Sequence, residues 1–465
     1  MDLVLISVIF VVFLALLFDF TNGFHDAANA VATTVATKAL PGRVAVLYAA
    51  VFNFLPAIVG VTLVASTIAN TVDVDALAPV GEGAVPLGVR VTFAALVAAV
   101  AWNYFTWWLG LPSSSSHALI GGLVGAGLAA GGPEVISWRE VTIIVVAIFA
   151  SPAIAGTVAW LAFRLIRLVQ RRGGLEDDHE VFRWGQILSA GAVSWGHGSN
   201  DAQKTMGLVA ATLGAAGYLS PESGGDYVPP VWVVLAAATM ISIGTYWGGW
   251  AIIDTMGFKI TRLTRASGFA ANVGAITAIF GASNQGVPIS TTHAAASSIV
   301  GAGMSSRRRI NWLVMRDMAI AWFVTLPVVG GLGYLTYFVT TLPTNAAWIT
   351  GIGLMLSLFV WAGWLMTRAE GHAEVAEEAD RAERENHGPQ PEFVPLAGPA
   401  GHVPGRITAQ LRAVEGSGAE EEEAAFRRGP AGHVPRHRTM DPRNGAEDRA
   451  GVDGAGGEGT PGTGP

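Results

Sequence analysis

The chain has 465 residues, 51% of them hydrophobic and only 14% charged, with a mean hydropathy of +0.45 and a formal net charge of −7. Soluble domains carry about 25% charged residues, so this composition excludes an ordinary soluble protein. It has no cysteine, which excludes disulfides and thiolate metal sites; the net charge says little, because the acidic C-terminal stretch supplies much of it, and no nucleic-acid partner is expected.

An apolar run over residues 3–20 comes first, interrupted only by Ser7 and Asp19. No basic n-region precedes it and no A-x-A-like site follows, so it reads as a retained span rather than a cleaved signal. It leads directly into "NGFHDAANA", Asn22 to Ala30, where acids, amides and a histidine crowd the end of a membrane segment. Further apolar runs cover 44–69, 91–111, 141–161, 231–253, 312–339 and 346–366. Each is near or above the ~20 residues that a helix needs to cross hydrocarbon. The expectation is an all-α, multi-pass protein of the cell membrane, with the lipid bilayer as its surroundings.

Two motifs recur along this series. "NGFHDAANA" has a counterpart in "HGSNDAQKT", where Asp201 matches Asp26 at a separation of 175 residues. "GLPSSSSHALIGGLVGAG" from Gly110 matches "GVPISTTHAAASSIVGAG" from Gly286 at a separation of 176. Two motif pairs at nearly one offset indicate an internal duplication, a common construction of secondary transporters with the substrate at the repeat interface. The expected layout is a first membrane repeat at 1–169, a short cytoplasmic linker at 170–183, a second repeat at 184–367 and a tail at 368–465. The tail is acidic, Gly/Pro-rich and low in complexity, and contains "GPAGHVP" twice, from Gly398 and Gly429. Such a composition buries too little apolar surface to fold, and the tail is expected to be dispensable for transport.

Basic residues set the orientation, because Lys and Arg near span ends favour the cytoplasm. Lys38 and Arg43 follow the first Asp motif, whereas Arg164, Arg167, Arg171, Arg172 and Arg183 precede the second. The first motif therefore runs toward the cytoplasm and the second away from it, which makes the repeats inverted. The Ser/Thr motifs then fit as tips of two re-entrant hairpins; ordinary spans over 112–131 and 288–305 are the alternative. Lys259, Arg262, Arg265 and Arg307 to Arg309 fall inside, and Asp73, Asp75, Glu82, Glu222 and Asp226 outside.

An ionised Asp at mid-membrane costs about 2.5–3.5 kcal/mol on insertion scales, so a recurring one has a use. Asn-Gly and His-Gly before Asp26 and Asp201 predict broken helices, whose free backbone groups bind ions at membrane depth. Asp26 and Asp201, with Asn22 and Asn200 beside them, are the candidates for cation coupling. Pro112 and Pro288 are expected at helix starts. Ser113, Ser114, Ser115, Ser116, Ser290, Thr291 and Thr292 would then line helix N-termini, where hydroxyls and free N–H groups hold an oxyanion. Hydrogen bonding of these hydroxyls to backbone at packed helix ends is the other reading. His25, His117, His197 and His293 have either a structural or a gating and proton role. Lys204 stands where Asn29 stands in the first half; it binds the anion directly or pairs with Asp201 one turn before it.

With these residues in hand, "NGFHDAANAVATTVATKAL", "GLPSSSSHALIGG", "HGSNDAQKTMGLV" and "GVPISTTH" resemble the signatures of the inorganic phosphate transporter (Pit) family, most of all its bacterial low-affinity, proton-coupled members. The resemblance covers roughly residues 1 to 367. It implies symport of inorganic phosphate, often as a neutral complex with a divalent metal, driven by protons or sodium, with no permanently bound cofactor. By motif position it places Asp26, Asn29, Asp201, Gln203 and Lys204 in the two signatures and the Ser/Thr runs at the phosphate. Sodium-coupled relatives carry an acid where this chain has Asn53, and the matching place in the second half has Asn272; this favours protons over sodium. A homo-oligomer is expected.

Phosphate beside two carboxylates is repelled unless cations share the site, and by linkage each then tightens the other. That is the logic of a symporter. A serine hydrolase is excluded because Ser116 and His117 are adjacent and the motif is duplicated, whereas an enzyme needs one nucleophile. A sulfate permease of the same fold keeps the same oxyanion geometry, and a passive anion channel conflicts with buried acids.

Overall fold

The computed structural model describes residues 3–59, 63–73, 77, 81, 84–222 and 227–342, with scattered positions between 350 and 364. The tail at 368–465, most of the run at 346–366, and Asp75, Glu82 and Asp226 lie outside the described residues. Among the described residues the structure is helical, with one isolated bridge between Val72 and Ile136.

In chain order the helices are α1 (Leu3–Ala36), α2 (Gly42–Phe54), α3 (Pro56–Val59), α4 (Leu63–Ala69), α5 (Leu87–Trp108), α6 (Ser115–Gly131) and α7 (Trp138–Gly173). There follow α8 (Glu180–His197), α9 (Gln203–Ala215), α10 (Val231–Trp247), α11 (Trp250–Asp254), α12 (Arg265–Ser283), α13 (Thr291–Ser305) and α14 (Trp312–Val339). Six stretches among them are long and apolar enough to cross a membrane, or seven if the bent α10–α11 pair counts as one span. The protein is thus a multi-pass membrane protein.

Three expectations about helix breaks are corrected. Asn22-Gly23 does not break α1, which runs straight through it for 34 residues. A lone glycine costs a helix only about 1 kcal/mol relative to alanine. Gly23 serves packing instead: the Ile241 carbonyl of α10 lies where a Cβ would stand. At His197-Gly198 the chain widens into a π turn, Gly198–Ala202, without a break, and the Asn53 carbonyl of α2 closes on Gly198 in the same manner. The true interruptions fall in the runs predicted as single spans. Helix α2 stops before Pro56, and α10 and α11 meet at Gly248-Gly249 with a bend of 65°. Proline blocks the i to i−4 ladder, and Gly248 adopts a positive φ of 74° that a side chain would resist.

Packing exchanges elements between the two halves of the sequence. Helices α5 and α6 pack on α14, at the end of the second half, while α12 and α13 pack on α7, at the end of the first. Small residues make this possible, since glycine lets membrane helices approach closely. A Cβ on Gly125 would strike the Gly330 backbone, and one on Gly301 the Gly156 backbone. The described residues accordingly form one compact unit.

Helix α1 lies antiparallel to α8 and α9. Arg183 Nε donates to Ala39 O at 3.1 Å and Thr37 Oγ1 to Gln186 Oε1 at 2.8 Å, near the end of α1 and the start of α8. At the opposite end Thr205 Oγ1 donates to Asp19 Oδ1 at 2.6 Å. The stretch between α7 and α8 is tied to α12: Ala266 N donates to Asp177 O at 3.0 Å and Arg265 Nη1 to Glu180 Oε1 at 2.8 Å. A hydrogen bond from Arg183, joined by Arg265, holds the exposed Glu180 carboxyl below the usual carboxylate range. The helical boundaries, Gly173 and Glu180, leave a shorter connection than the 170–183 read from the sequence.

Candidate functional site

The hairpin tips are the turns between α5 and α6 and between α12 and α13. Pro112 and Pro288 are not at the helix starts, as expected from the sequence; each lies two residues before a capping serine. Ser114 Oγ accepts from His117 N and Ser290 Oγ from His293 N, each at 3.2 Å. An N-cap with a short polar side chain satisfies one of the free N–H groups that open a helix. Ser114 and Ser290 are thereby turned toward their own helices. The next residues, Ser115, Ser116, Thr291 and Thr292, point elsewhere, and all are buried.

Three of them, Ser115, Thr291 and Thr292, converge on Asp26. Its Oδ2 accepts from Ser115 Oγ at 3.1 Å and from Thr291 Oγ1 at 3.4 Å, and its Oδ1 from Thr292 Oγ1 at 3.1 Å. Thus both hairpins reach one carboxylate of α1. Asn29, one turn further along α1, donates from Nδ2 to Thr291 Oγ1 and Thr292 Oγ1 at 3.2 and 3.1 Å. His25 Nδ1 lies 2.8 Å from Asp26 Oδ1, and its Nε2 lies 3.1 Å from Thr106 Oγ1 and 3.3 Å from Ser113 Oγ.

Asp201 lies in the same cluster. Thr291 Oγ1 is 3.0 Å from its Oδ2, and the Lys204 ammonium pairs with its Oδ1. Lys204 also donates to Ser116 Oγ at 2.5 Å and to Ile289 O at 3.2 Å, so a fully buried lysine joins α9 to both tips. The tips touch each other too, Ser116 Oγ donating to Ile289 O at 2.9 Å. His197 Nε2 stands between the acids, 3.0 Å from Asp201 Oδ2 and 3.9 Å from Asp26 Oδ2. One ligand atom from each of Asp26, His197 and Asp201 falls within 4.8 Å of the others, a set able to hold a cation. His117 and His293 stack edge to face at 4.5 Å behind the tips, with the Trp322 ring 4.0 Å from His293.

Not every candidate joins the cluster. Asn200 fastens the second tip: its Nδ2 donates to Ser283 Oγ and Val287 O, and its Oδ1 accepts from Ile289 N. Gln203 accepts from Val64 N and donates to Ser199 O. Asn22 is fully buried on α1, and its amide has no hydrogen-bond partner among the described residues. Thr106 escaped the sequence reading as a site residue, and Asp19, read there only as a polar interruption of the first run, lies outside the cluster with Thr205 as its hydrogen-bond partner. Polar groups spaced by three or four within an apolar run, as Asn103 and Thr106 are, carry the only signal that could have found the former.

The arrangement is occluded, with every tip residue buried. Two grooves, one lined by Val51, Phe54, Ile243 and Tyr246 and one by Gly156, Trp160, Gly301 and Met304, include none of these residues. Chemically, the site offers hydroxyls, an amide and an ammonium to an oxyanion, and two carboxylates and two imidazoles to cations.

The sequence model of the phosphate transporter family matches residues 22–177 and 170–333. A probable low-affinity inorganic phosphate transporter of Bacillus subtilis (strain 168) is 41% identical over 340 residues, covering 73% of this chain and 98% of the relative. A protein of the same description from Rhizobium meliloti (strain 1021) is 41% identical over 332 residues, covering 70% and 95%. Among solved structures, one titled the sodium-dependent phosphate transporter superposes with a TM-score of 0.64 at 25% identity, covering 72% of this chain and 99% of that one.

Proposed function

This chain belongs to the phosphate transporter family, whose members are transporters and not enzymes, and from its site we propose that it imports inorganic phosphate by proton symport. The observation that carries this reading is Lys204, which joins Asp201 to both hairpin tips. Two carboxylates and one ammonium meet there, so with neutral imidazoles the empty site bears one net negative charge. Phosphate adds more negative charge and competes for Lys204. Drawing the ammonium toward phosphate strips Asp201 of its counter-charge, and a buried carboxylate without one is costly. A proton binding at that moment removes the cost. By linkage the proton tightens phosphate binding to the same degree, and the neutralised site is the one that can switch. The antiparallel course of α1 and α8–α9 supports inverted halves that open the site to either side in turn.

Histidine hydrogen bonding supports protons. Asn53 Nδ2 donates to Thr245 Oγ1 at 2.7 Å, which leaves Asn53 Oδ1 as an acceptor for His197 Nδ1–H at 3.1 Å. His197 Nε2 then faces the Asp201 carboxylate at 3.0 Å, and a shared proton makes that contact favourable. Asn53 and Asn272 have their amides engaged by protein groups, Asn272 by Thr33 and Ser189.

Sodium coupling is the second reading, favoured by the sodium-dependent transporter among the solved structures. A divalent metal carried with phosphate would fit the Asp26, His197 and Asp201 set. Labelled phosphate uptake into proteoliposomes, with pH and sodium gradients imposed separately, tests the assignment. Uptake under the pH gradient alone is expected; uptake under the sodium gradient alone overturns it. Uptake of labelled sulfate in preference to phosphate would overturn the substrate.

A further inference from the structure

One buried acid has no part in that site. Asp19 lies on α1 two turns before Asp26, about 10 Å along the helix axis at 1.5 Å per residue. It is fully buried. Its Oδ1 accepts the Thr205 hydroxyl at 2.6 Å, and its Oδ2 has no hydrogen-bond partner among the described residues. No lysine, arginine or histidine forms an ion pair with it among those residues. The charged groups that act on it are Asp201 and Lys204, and Lys204 is committed to Asp201.

Its neighbours extend the coupling site. Asp19, Asn22, Asp26, Asn29 and Thr33 recur at steps of three and four, so they share one face of α1, and all are buried. Asn22 sits one turn from each acid with both amide atoms unpartnered. Thr205 stands one turn from Asp201 on the facing helix. Before Asp19 the same face becomes Ala15, Val11 and Val8, buried and apolar. Further out on this face only the Ser7 hydroxyl is polar, and it donates to Leu3 O at 2.7 Å, so Asp19 is the outermost titratable group of the stripe, since α1 ends at the basic, cytoplasmic side.

The second half has no equivalent. Position 194, which is 19 plus the offset of 175, is Ser194, whose hydroxyl donates to Ala190 O at 2.9 Å. The acid is thus confined to one half of a duplicated design.

We propose that Asp19 is a second proton-binding acid of the carrier, taking up a proton at its Oδ2 on the outer side of Asp26. The proposal rests on the proton-symport reading. A carboxylate without a counter-charge at membrane depth needs a cation, and the choice of proton follows from the surroundings. A hard metal ion takes about six oxygen ligands or more. Asp19 is offered one hydroxyl, and its hydrogen already points at the carboxylate. A proton needs a single lone pair, which Oδ2 supplies. Buried acids in series mark proton routes through membrane proteins.

The test uses the full chain in proteoliposomes with a lumenal pH dye and labelled phosphate. Asp19→Asn keeps the shape and the acceptor for Thr205 but cannot release a proton. Phosphate counterflow at equal pH, which needs no net proton release, should stay within about twofold of wild type, while uptake driven by a pH gradient falls about tenfold or more. Asp19→Glu should recover part of that uptake. Thr205→Val, which keeps the acid and removes its hydrogen bond, should shift the external pH of half-maximal uptake. Wild-type pH-driven uptake by Asp19→Asn overturns the proposal. So does equal loss of counterflow and driven uptake in both Asp19→Asn and Asp19→Glu, the mark of a structural role. If wild-type protein carries phosphate with no lumenal pH change, the coupling reading itself fails, and this proposal with it. A proton-coupled wild type with an indifferent Asp19→Asn removes this proposal alone.

Discussion

Helix α1 and the α8–α9 segment carry the same motif and treat its aspartate differently. Asp26 sits in a regular helix, beside an imidazole, and collects hydroxyls from both tips. Asp201 sits in a π turn and is held by a buried ammonium. Three positions on from each acid stands Asn29 in one half and Lys204 in the other. Duplication alone would yield two equal acids. Six of the nine aligned positions differ, and among them Lys204 in place of Asn29 sets the two acids apart in the structure: Asp201 is paired with a buried ammonium and Asp26 is not.

Replacing that lysine should have the largest effect. Lys204→Met leaves Asp201 buried without its cation, and breaking such a pair costs about 3–5 kcal/mol. We expect phosphate uptake to vanish and the unfolding temperature in detergent to fall; Lys204→Met with Asp201→Asn should regain stability but not uptake. A double variant that transports normally would dissolve the distinction between the two acids.

Asp26→Asn tests the other side of the comparison. It keeps the hydroxyl contacts and removes an exchangeable charge. Uptake driven by a pH gradient should drop at least about a hundredfold, the scale reached when a group handling a proton is lost, while phosphate counterflow persists. Asp201→Asn should instead tighten phosphate binding, because it removes the carboxylate that competes for Lys204. Equal behaviour of the two variants in phosphate binding would count against separate roles.

The close helix contacts give a smaller effect. Gly23→Ala drives a methyl group into the Ile241 carbonyl and Gly198→Ala into that of Asn53; overpacking of this kind costs about 1–3 kcal/mol. Thermal melts should show both losses, and transport should suffer more from Gly198→Ala, which moves the π turn that carries Asp201. The smallest change is expected from Ser114→Ala and Ser290→Ala. Each removes an N-cap worth about 1 kcal/mol, so helix stability should fall slightly, with phosphate affinity less affected than by Ser116→Ala or Thr291→Ala. Phosphate titrations of the four variants would rank them.

Much of this was legible in the amino-acid order. Apolar runs of spanning length exist because lipid offers no hydrogen bonds, so the class of fold is written in composition. The offset of 175 or 176 residues joined Asp26 to Asp201 and one Ser/Thr run to the other, since duplication leaves its trace in spacing. Basic residues flanking the two signatures indicated opposite directions, and α1 and α8–α9 do lie antiparallel. Tertiary structure alone decided where the helices break. Gly23 and Gly198 read as breakers locally, but a neighbouring backbone fills the space that each leaves. Only packing could likewise separate Ser114 and Ser290, which cap their helices, from Ser115, Thr291 and Thr292, which face the acids, and from Ser116, which meets Lys204 and the second tip. Consecutive residues of one type look alike in sequence, and a side chain's direction is set by the turn that it leaves and the helices that close over it. The same holds for Lys204, whose role depends on three partners drawn from α9, the first tip and the second, far apart in the chain and joined only by the fold.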